Sequence, residues 1–121
     1  MSERHPEFFL RLYLGQGGMI GPGKAALLDG IAETGSISAA GRAMGMSYKR
    51  AWTLVEAMNA MFREPLVDSA RGGPGGGGAT LTETGREVLD LYRAIDAEAQ
   101  AVNAERLDRL RALLPDMSGR K

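Results

Sequence analysis

The chain has 121 residues, no cysteine, 44% apolar side chains and a formal net charge of zero. This composition suits one globular domain with a real core and excludes a disulfide framework, a thiolate metal site and global disorder. No apolar run near the start has the length of a signal peptide and none approaches a membrane span, so a soluble cytoplasmic protein without membrane contact is expected.

Phe8 to Leu14 alternates, with Phe8, Leu10, Leu12 and Leu14 on one side and Phe9, Arg11 and Tyr13 on the other; this period of two predicts a strand. The glycine-rich run Gly15–Gly23 reads as a loop. Pro22 suits the first position of a helix, where its missing N–H costs nothing. That helix is expected to reach about Thr34, with Ala26, Leu27, Ile31 and Ala32 on its apolar side and Gly35 as its stop. Ser36 can cap a short helix over Ile37–Met44. Gly45 and Met46 make a tight turn, and Ser47 can cap a longer helix to about Phe62. In that helix Ala51, Val55, Met58 and Phe62 share a face, while Lys49, Arg50 and Thr53 lie away from it.

Pro65 ends the helical region, and Leu66–Arg71 and Ala79–Leu81 read as short strands flanking the run Gly72-Gly73-Pro74-Gly75-Gly76-Gly77-Gly78. Two strands around a glycine loop make a hairpin; a flexible linker is the alternative. Thr82 can cap a last helix, and Glu83 places a carboxylate where the helix dipole favours it. The helix is expected to continue to about Leu114, with Val88, Leu91, Tyr92, Ile95, Ala99, Val102, Leu107 and Leu110 as an apolar stripe. Pro115–Lys121 is expected to fray.

The resulting fold class is mainly α with a small β-hairpin, an α+β winged helix-turn-helix in a single domain over residues 1–121. Residues 8–81 carry the strand, three helices and wing, 82–114 the long helix and 115–121 the tail. In a helix-turn-helix the second helix lies in the major groove and its first residues reach base edges. Gly45 permits the turn, and Gly41 lets the two helices approach. Ser47, Tyr48, Lys49 and Arg50 open the second helix. Arg50 suits a bidentate contact to guanine, Lys49 a phosphate, and Thr53 a thymine methyl or a phosphate. In the wing, Gly73, Gly75 and Gly76 let the backbone approach phosphates without side-chain clash, and Arg71 is the expected phosphate contact. Trp52 is expected to be partly buried, Tyr48 is open to either core or base, and methionines such as Met44, Met46, Met58 and Met61 read as core fillers.

Most nucleic-acid binders are basic, and this chain is neutral. Its charge is uneven, however. Thr34 to Val55 holds Arg42, Lys49 and Arg50 and no acid; Ser69 to Thr82 holds Arg71 and no acid; the acids collect after Glu83. Local positive charge is what counterion release requires. The last helix, about thirty residues or roughly 45 Å long at ~1.5 Å per residue, outreaches a compact core. Its stripe therefore calls for the same helix of a second copy, a homodimer presenting two recognition helices to an operator.

Gly18-Met19-Ile20-Gly21-Pro22-Gly23-Lys24-Ala25 nearly spells a phosphate-binding loop. Ala25 has no hydroxyl for magnesium, and no repeating strand–helix units build a parallel sheet around it. With His5 as the single histidine and no nucleophile-elbow serine, no enzyme, no metal and no cofactor is expected. The competing function is a protein-interaction module on the same fold, without DNA binding, for which the zero net charge is the best argument.

Gly35-Ser36-Ile37-Ser38, then Ser47-Tyr48-Lys49, Ala51-Trp52 and Met58-Asn59, resemble the DNA-binding domain of the molybdate-responsive regulator family ModE. Gly72 to Ala79, followed by Leu81-Thr82 and Gly85, resembles the same family's wing. The resemblance runs from about Leu10 to Tyr92. It implies a winged-helix domain dimerising through its N-terminal strand region and C-terminal helix, and operator binding in genes of molybdenum uptake and use. By position it puts Ser36, Ser38, Ser47, Tyr48, Lys49 and Arg50 in the DNA-facing half of the motif. Two departures stand out. Full-length members carry C-terminal molybdate-binding domains without counterpart here, and Pro74 stands where the family wing often has a lysine.

Overall fold

The computed structural model describes residues 8–69 and 78–115. His5, Arg71, Gly73, Pro74, Gly75, Gly76 and the tail after Pro115 lie outside them. The elements in chain order are β1 (Leu12–Gly15), β2 (Gly18–Ile20), α1 (Pro22–Thr34), α2 (Ile37–Ala43), α3 (Tyr48–Met61), β3 (Val67–Ser69), β4 (Ala79–Leu81), α4 (Glu83–Val102) and α5 (Ala104–Ala112). This is the α+β winged helix-turn-helix expected, with a second small hairpin at the front. Among the described residues no helix is long and apolar enough to cross a membrane.

The front hairpin corrects the reading of Gly15–Gly23 as a loop. β1 and β2 pair antiparallel, with Leu12 opposite Ile20 and Tyr13 opposite Met19. Gln16 and Gly17 turn the chain at φ of 52° and 83°, so the glycines serve a two-residue turn. β1 is shorter than the alternation suggested, because β2 is three residues long and Pro22 then starts α1; residues 8–11 find no pairing strand.

α1 is the central beam. Leu27, Leu28 and Ile31 are all fully buried, and the helix packs on α2, β4 and α4. Its apolar side differs from expectation: Ala25 and Leu28 are buried, while Ala26 and Ala32 are exposed. A helix covered by neighbours on more than one side buries the larger side chains, and two alanines on the solvent face cost nothing. From α3, Ala51, Val55 and Met58 are buried as their spacing predicts, and Phe62 packs at the edge. Leu66 and Val67 of the wing side, and Leu89 and Tyr92 of α4, complete the core.

The last helical region is two helices rather than one. Asn103 has φ −104° and ψ 14°; its Nδ2 donates to the Ala99 carbonyl at 2.8 Å and its Oδ1 accepts from Arg106 at 3.1 Å. A side-chain amide that competes for backbone partners weakens a helix, and α4 stops there. Gly85, Leu89 and Tyr92 face the core, whereas Leu91, Ile95 and Val102 are 55%, 43% and 67% exposed. At about 100° per residue these are two apolar stripes, roughly 100° apart around the helix.

Two contacts fix the ends of the architecture. The first is steric. A β-carbon at Gly41 would lie 2.7 Å from Ala51 Cβ and 3.3 Å from Met46 Cγ, so α2 and α3 cross at a distance only glycine allows. The second is polar. Tyr92 Oη donates to the Leu10 carbonyl at 2.7 Å, tying the N-terminal segment to α4.

Each makes a prediction. Alanine favours a helix over glycine by about 1 kcal/mol, yet Gly41→Ala should lower stability by about 1–3 kcal/mol through overlap. Gly23→Ala in α1, where a β-carbon meets nothing within 4 Å, should be neutral or stabilising. Thermal unfolding of the pair separates close approach from helix propensity. Burial, with a smaller push from Asp96 and an opposing pull from Arg11, raises the Tyr92 phenol above its ordinary 10.0. The unfolded chain then releases this proton first as pH rises, so the stabilisation is complete below pH 10 and declines above it. Tyr92→Phe should cost about 1 kcal/mol at pH 7 and flatten the alkaline decline; an unchanged decline would assign it to other groups.

Candidate nucleic-acid interface

The helix-turn-helix is built by local hydrogen bonds that its sequence dictates. Gly35 closes α1 by donating its N–H to the Ile31 carbonyl at 2.8 Å. Ser36 is in extended backbone and its Oγ accepts from the Ala39 N–H at 3.0 Å, capping α2. Thr34 Oγ1 steadies the junction, accepting from the Ser36 N–H at 3.1 Å. After α2 the Gly45 and Met46 amides donate back to the carbonyls of Arg42 and Gly41, each at 3.0 Å. Gly45 sits at φ +74°, a left-handed conformation that costs other residues about 1 kcal/mol or more. Ser47 Oγ then accepts from the Arg50 N–H at 3.1 Å and starts α3.

This geometry places the residues singled out from sequence as follows. Ser47, Tyr48, Lys49, Arg50 and Thr53 are all exposed on the first two turns of α3. Ser36 and Ser38, at the start of α2, are half-buried. Ser36 and Ser47 each use an oxygen lone pair in capping, which leaves their hydroxyl hydrogens able to donate. Thr53 Oγ1 donates to the Lys49 carbonyl at 2.9 Å, so its outward chemistry is mainly its methyl group. Arg71, Gly73, Gly75 and Gly76 lie outside the described residues. What is described of the wing is its base, where β3 and β4 pair antiparallel with Val67 opposite Leu81 and Ser69 opposite Ala79. β4 is joined to the helix-turn-helix through Ala79, whose N–H donates to the Gly35 carbonyl at 2.9 Å.

Neither α2 nor α3 has an acid in its first turn. The ion pairs among the described residues, Arg93 with Asp29 at 2.6 Å and Arg111 with Asp108 at 3.1 Å, lie on α1, α4 and α5. Positive charge and helix N-terminal N–H groups thus point the same way at the start of α3, an arrangement that suits anionic oxygens. Trp52 is half-buried against the core, as expected, and its ring meets that of Tyr48 edge to face at 6.2 Å. The Trp52 indole N–H is buried without a partner among the described residues. Tyr48 is 62% exposed, which decides its open reading in favour of the surface.

Two residues acquire roles that sequence reasoning did not assign. Asn59, on the last turn of α3, accepts the N–H groups of Leu66 and Val67 at 2.8 and 3.0 Å. Its partners lie beyond the end of the helix, so no periodic pattern marks them. Lys24, the lysine of the apparent phosphate loop, donates Nζ–H to the Met19 carbonyl at 2.9 Å. It thereby braces β2 against α1, which accounts for the lysine without a nucleotide. No group of three or more metal-ligating side chains occurs among the described residues.

Residues 24–86 match the bacterial regulatory helix-turn-helix proteins of the LysR family, a span that starts in α1 and ends in the first turn of α4. Over 81 residues the chain is 49% identical to the molybdenum-pterin-binding protein MopB of Rhodobacter capsulatus, covering 67% of this chain and 30% of that protein. It is 41% identical over 93 residues to the molybdenum transport protein ModE of Azotobacter vinelandii, covering 77% and 33%. It is 43% identical over 86 residues to the DNA-binding transcriptional dual regulator ModE of Escherichia coli (strain K12), covering 71% and 33%. The chain thus spans about a third of the length of these curated relatives. With the turn, the caps and the wing base all in place, the chain belongs to the bacterial regulatory helix-turn-helix proteins of the LysR family and carries a DNA-binding domain of the ModE kind.

Proposed function

We propose that this protein is a sequence-specific regulator of transcription that binds double-stranded DNA operators, in genes of molybdenum uptake and use, as a cytoplasmic homodimer. The observation that carries the reading is the exposed, acid-free start of α3, held by the Ser47 cap behind the Gly41–Gly45 turn. The relatives' names supply the molybdenum connection. The role involves no chemical step.

In this reading α3 enters the major groove. Arg50 makes the bidentate contact to guanine, Lys49 meets a phosphate, and the Thr53 methyl meets a thymine methyl. Ser36, Ser38 and Ser47 donate to phosphate oxygens, and Tyr48 packs on the sugar–phosphate edge. The wing, with Arg71 and the backbone at Gly73, Gly75 and Gly76, follows the neighbouring backbone. The outward stripe of Leu91, Ile95 and Val102 supports the dimer: contiguous exposed apolar surface on a helix invites a partner. Phe9 and Tyr13, 66% and 76% exposed, extend apolar surface onto the N-terminal segment and ribbon.

The test is equilibrium binding to random duplexes at several salt concentrations, with sequencing of the retained fraction. An enriched palindrome and a steep salt dependence are expected. Absence of binding at low salt would leave the interaction-module reading instead. Against the enriched duplex, Arg50→Ala should weaken binding by ~1–3 kcal/mol and relax the preference at one base pair, whereas Lys49→Ala should weaken all sequences alike and reduce the salt slope by about one unit. Ile95→Asp, on the exposed stripe, should shift the sedimentation of the free protein from dimer to monomer; an unshifted dimer would move the interface elsewhere.

A further inference from the structure

The peptide from Pro65 to Val67 is gripped from two sides. From α3, Asn59 accepts the Leu66 and Val67 N–H groups at 2.8 and 3.0 Å and donates Nδ2–H to the Val67 carbonyl at 3.2 Å. From the start of α4, Thr82 Oγ1 donates to the Pro65 carbonyl at 2.7 Å while accepting from the Gly85 N–H at 2.9 Å, and the Thr82 N–H donates to the Leu66 carbonyl at 2.9 Å. Gly85 lies so close that a β-carbon there would run into the Leu66 carbonyl. The Leu66 side chain is fully buried beneath. Every backbone donor and acceptor from Pro65 to Val67 is therefore used, by one helix or by the other.

This peptide joins two helices that do not pack extensively on each other. One carries the exposed Lys49 and Arg50; the other carries the exposed apolar stripe. We propose that Asn59 is a positioning residue: together with Thr82 it locks the recognition helix to α4, and so sets the separation of the two recognition helices in the dimer. The inference rests on the DNA-binding dimer described above. Each inserted base pair moves one half-site by ~3.4 Å and turns it by about 35°, a change that a rigid junction penalises and a loose one absorbs. Asn59 touches no DNA in this arrangement. Its effect is on which half-site spacing is accepted, not on which bases are read.

The experiment uses the palindromic duplex enriched by the selection, together with versions carrying one or two base pairs added or removed between the half-sites. The wild-type chain should bind the altered spacings about tenfold or more weakly, the equivalent of ~1.4 kcal/mol. Asn59→Ala, measured at a temperature where circular dichroism shows it fully folded, should bind all spacings within roughly threefold of one another. Thr82→Ala, which cuts the grip from the other side, should do the same and carries the test if Asn59→Ala does not fold. Asn59→Asp keeps the acceptor for both amides but loses the donor to the Val67 carbonyl, and should relax the preference only in part. A purely structural residue would lower the melting temperature and leave the spacing preference of the folded variant intact. Folded alanine variants that retain the wild-type preference, or a wild-type chain indifferent to spacing, would overturn the proposal. A wild-type chain that binds no duplex would instead remove the DNA-binding reading on which it stands.

Discussion

The structure depends on a place where two side chains cannot both exist. α2 and α3 cross with Gly41 against the Ala51 methyl, and a methyl group on the first helix would force them apart. The crossing brings the end of α2 within reach of the four-residue connection Met44–Ser47, and Gly45 in its left-handed conformation completes it. From there the direction of α3 follows, and with it the exposure of Tyr48, Lys49 and Arg50. Charge at the candidate interface is thus a result of steric fit at a buried, uncharged point. The same α3 brings Ala51, Val55 and Met58 into the core, so the helix that exposes Lys49 and Arg50 is also anchored along its inner face.

Capping residues at this interface carry a double load. Ser36 and Ser47 each accept an N–H three residues ahead, which uses one lone pair of the hydroxyl. A cap substitution therefore mixes helix stability, on the order of 1 kcal/mol, with any loss of a contact to phosphate. Lys49 and Arg50 are exposed and lie outside the ion pairs seen among the described residues. Substitutions there report on binding with little structural admixture.

Much of this was legible from residue order alone, because the responsible forces are local. A cap reaches three residues, a left-handed turn needs a glycine at one position, and an amphipathic helix repeats every three or four residues. Ser36, Ser47, Thr82, Gly41 and Gly45 could be read for that reason. The failures share the opposite cause. β2 is three residues among glycines, too short for a period of two to show. On α4 the composition holds two apolar stripes, and nothing in the pattern says that Leu89 goes inward while Leu91 and Ile95 go outward; that is settled by α1 and the Leu10 carbonyl, far away in sequence. Asn103 is a weak helix former among alanines, but a single such residue inside a long helical pattern does not by itself announce a break. Asn59 makes its hydrogen bonds across a bend whose shape is not encoded at position 59.

The Tyr92–Leu10 hydrogen bond joins residues 82 apart in the chain, whereas α1, α2 and α3 meet through neighbours close in sequence. Closing a loop of that size costs about 2 kcal/mol more than closing one of ten residues, at ~0.6 kcal/mol per doubling. The three-helix unit can therefore assemble from nearby contacts, while the Leu10 carbonyl has no Tyr92 partner until α4 has packed on α1. Phe9, next to Leu10 in the chain and 66% exposed, is then held at the surface only once α1 and α4 have met.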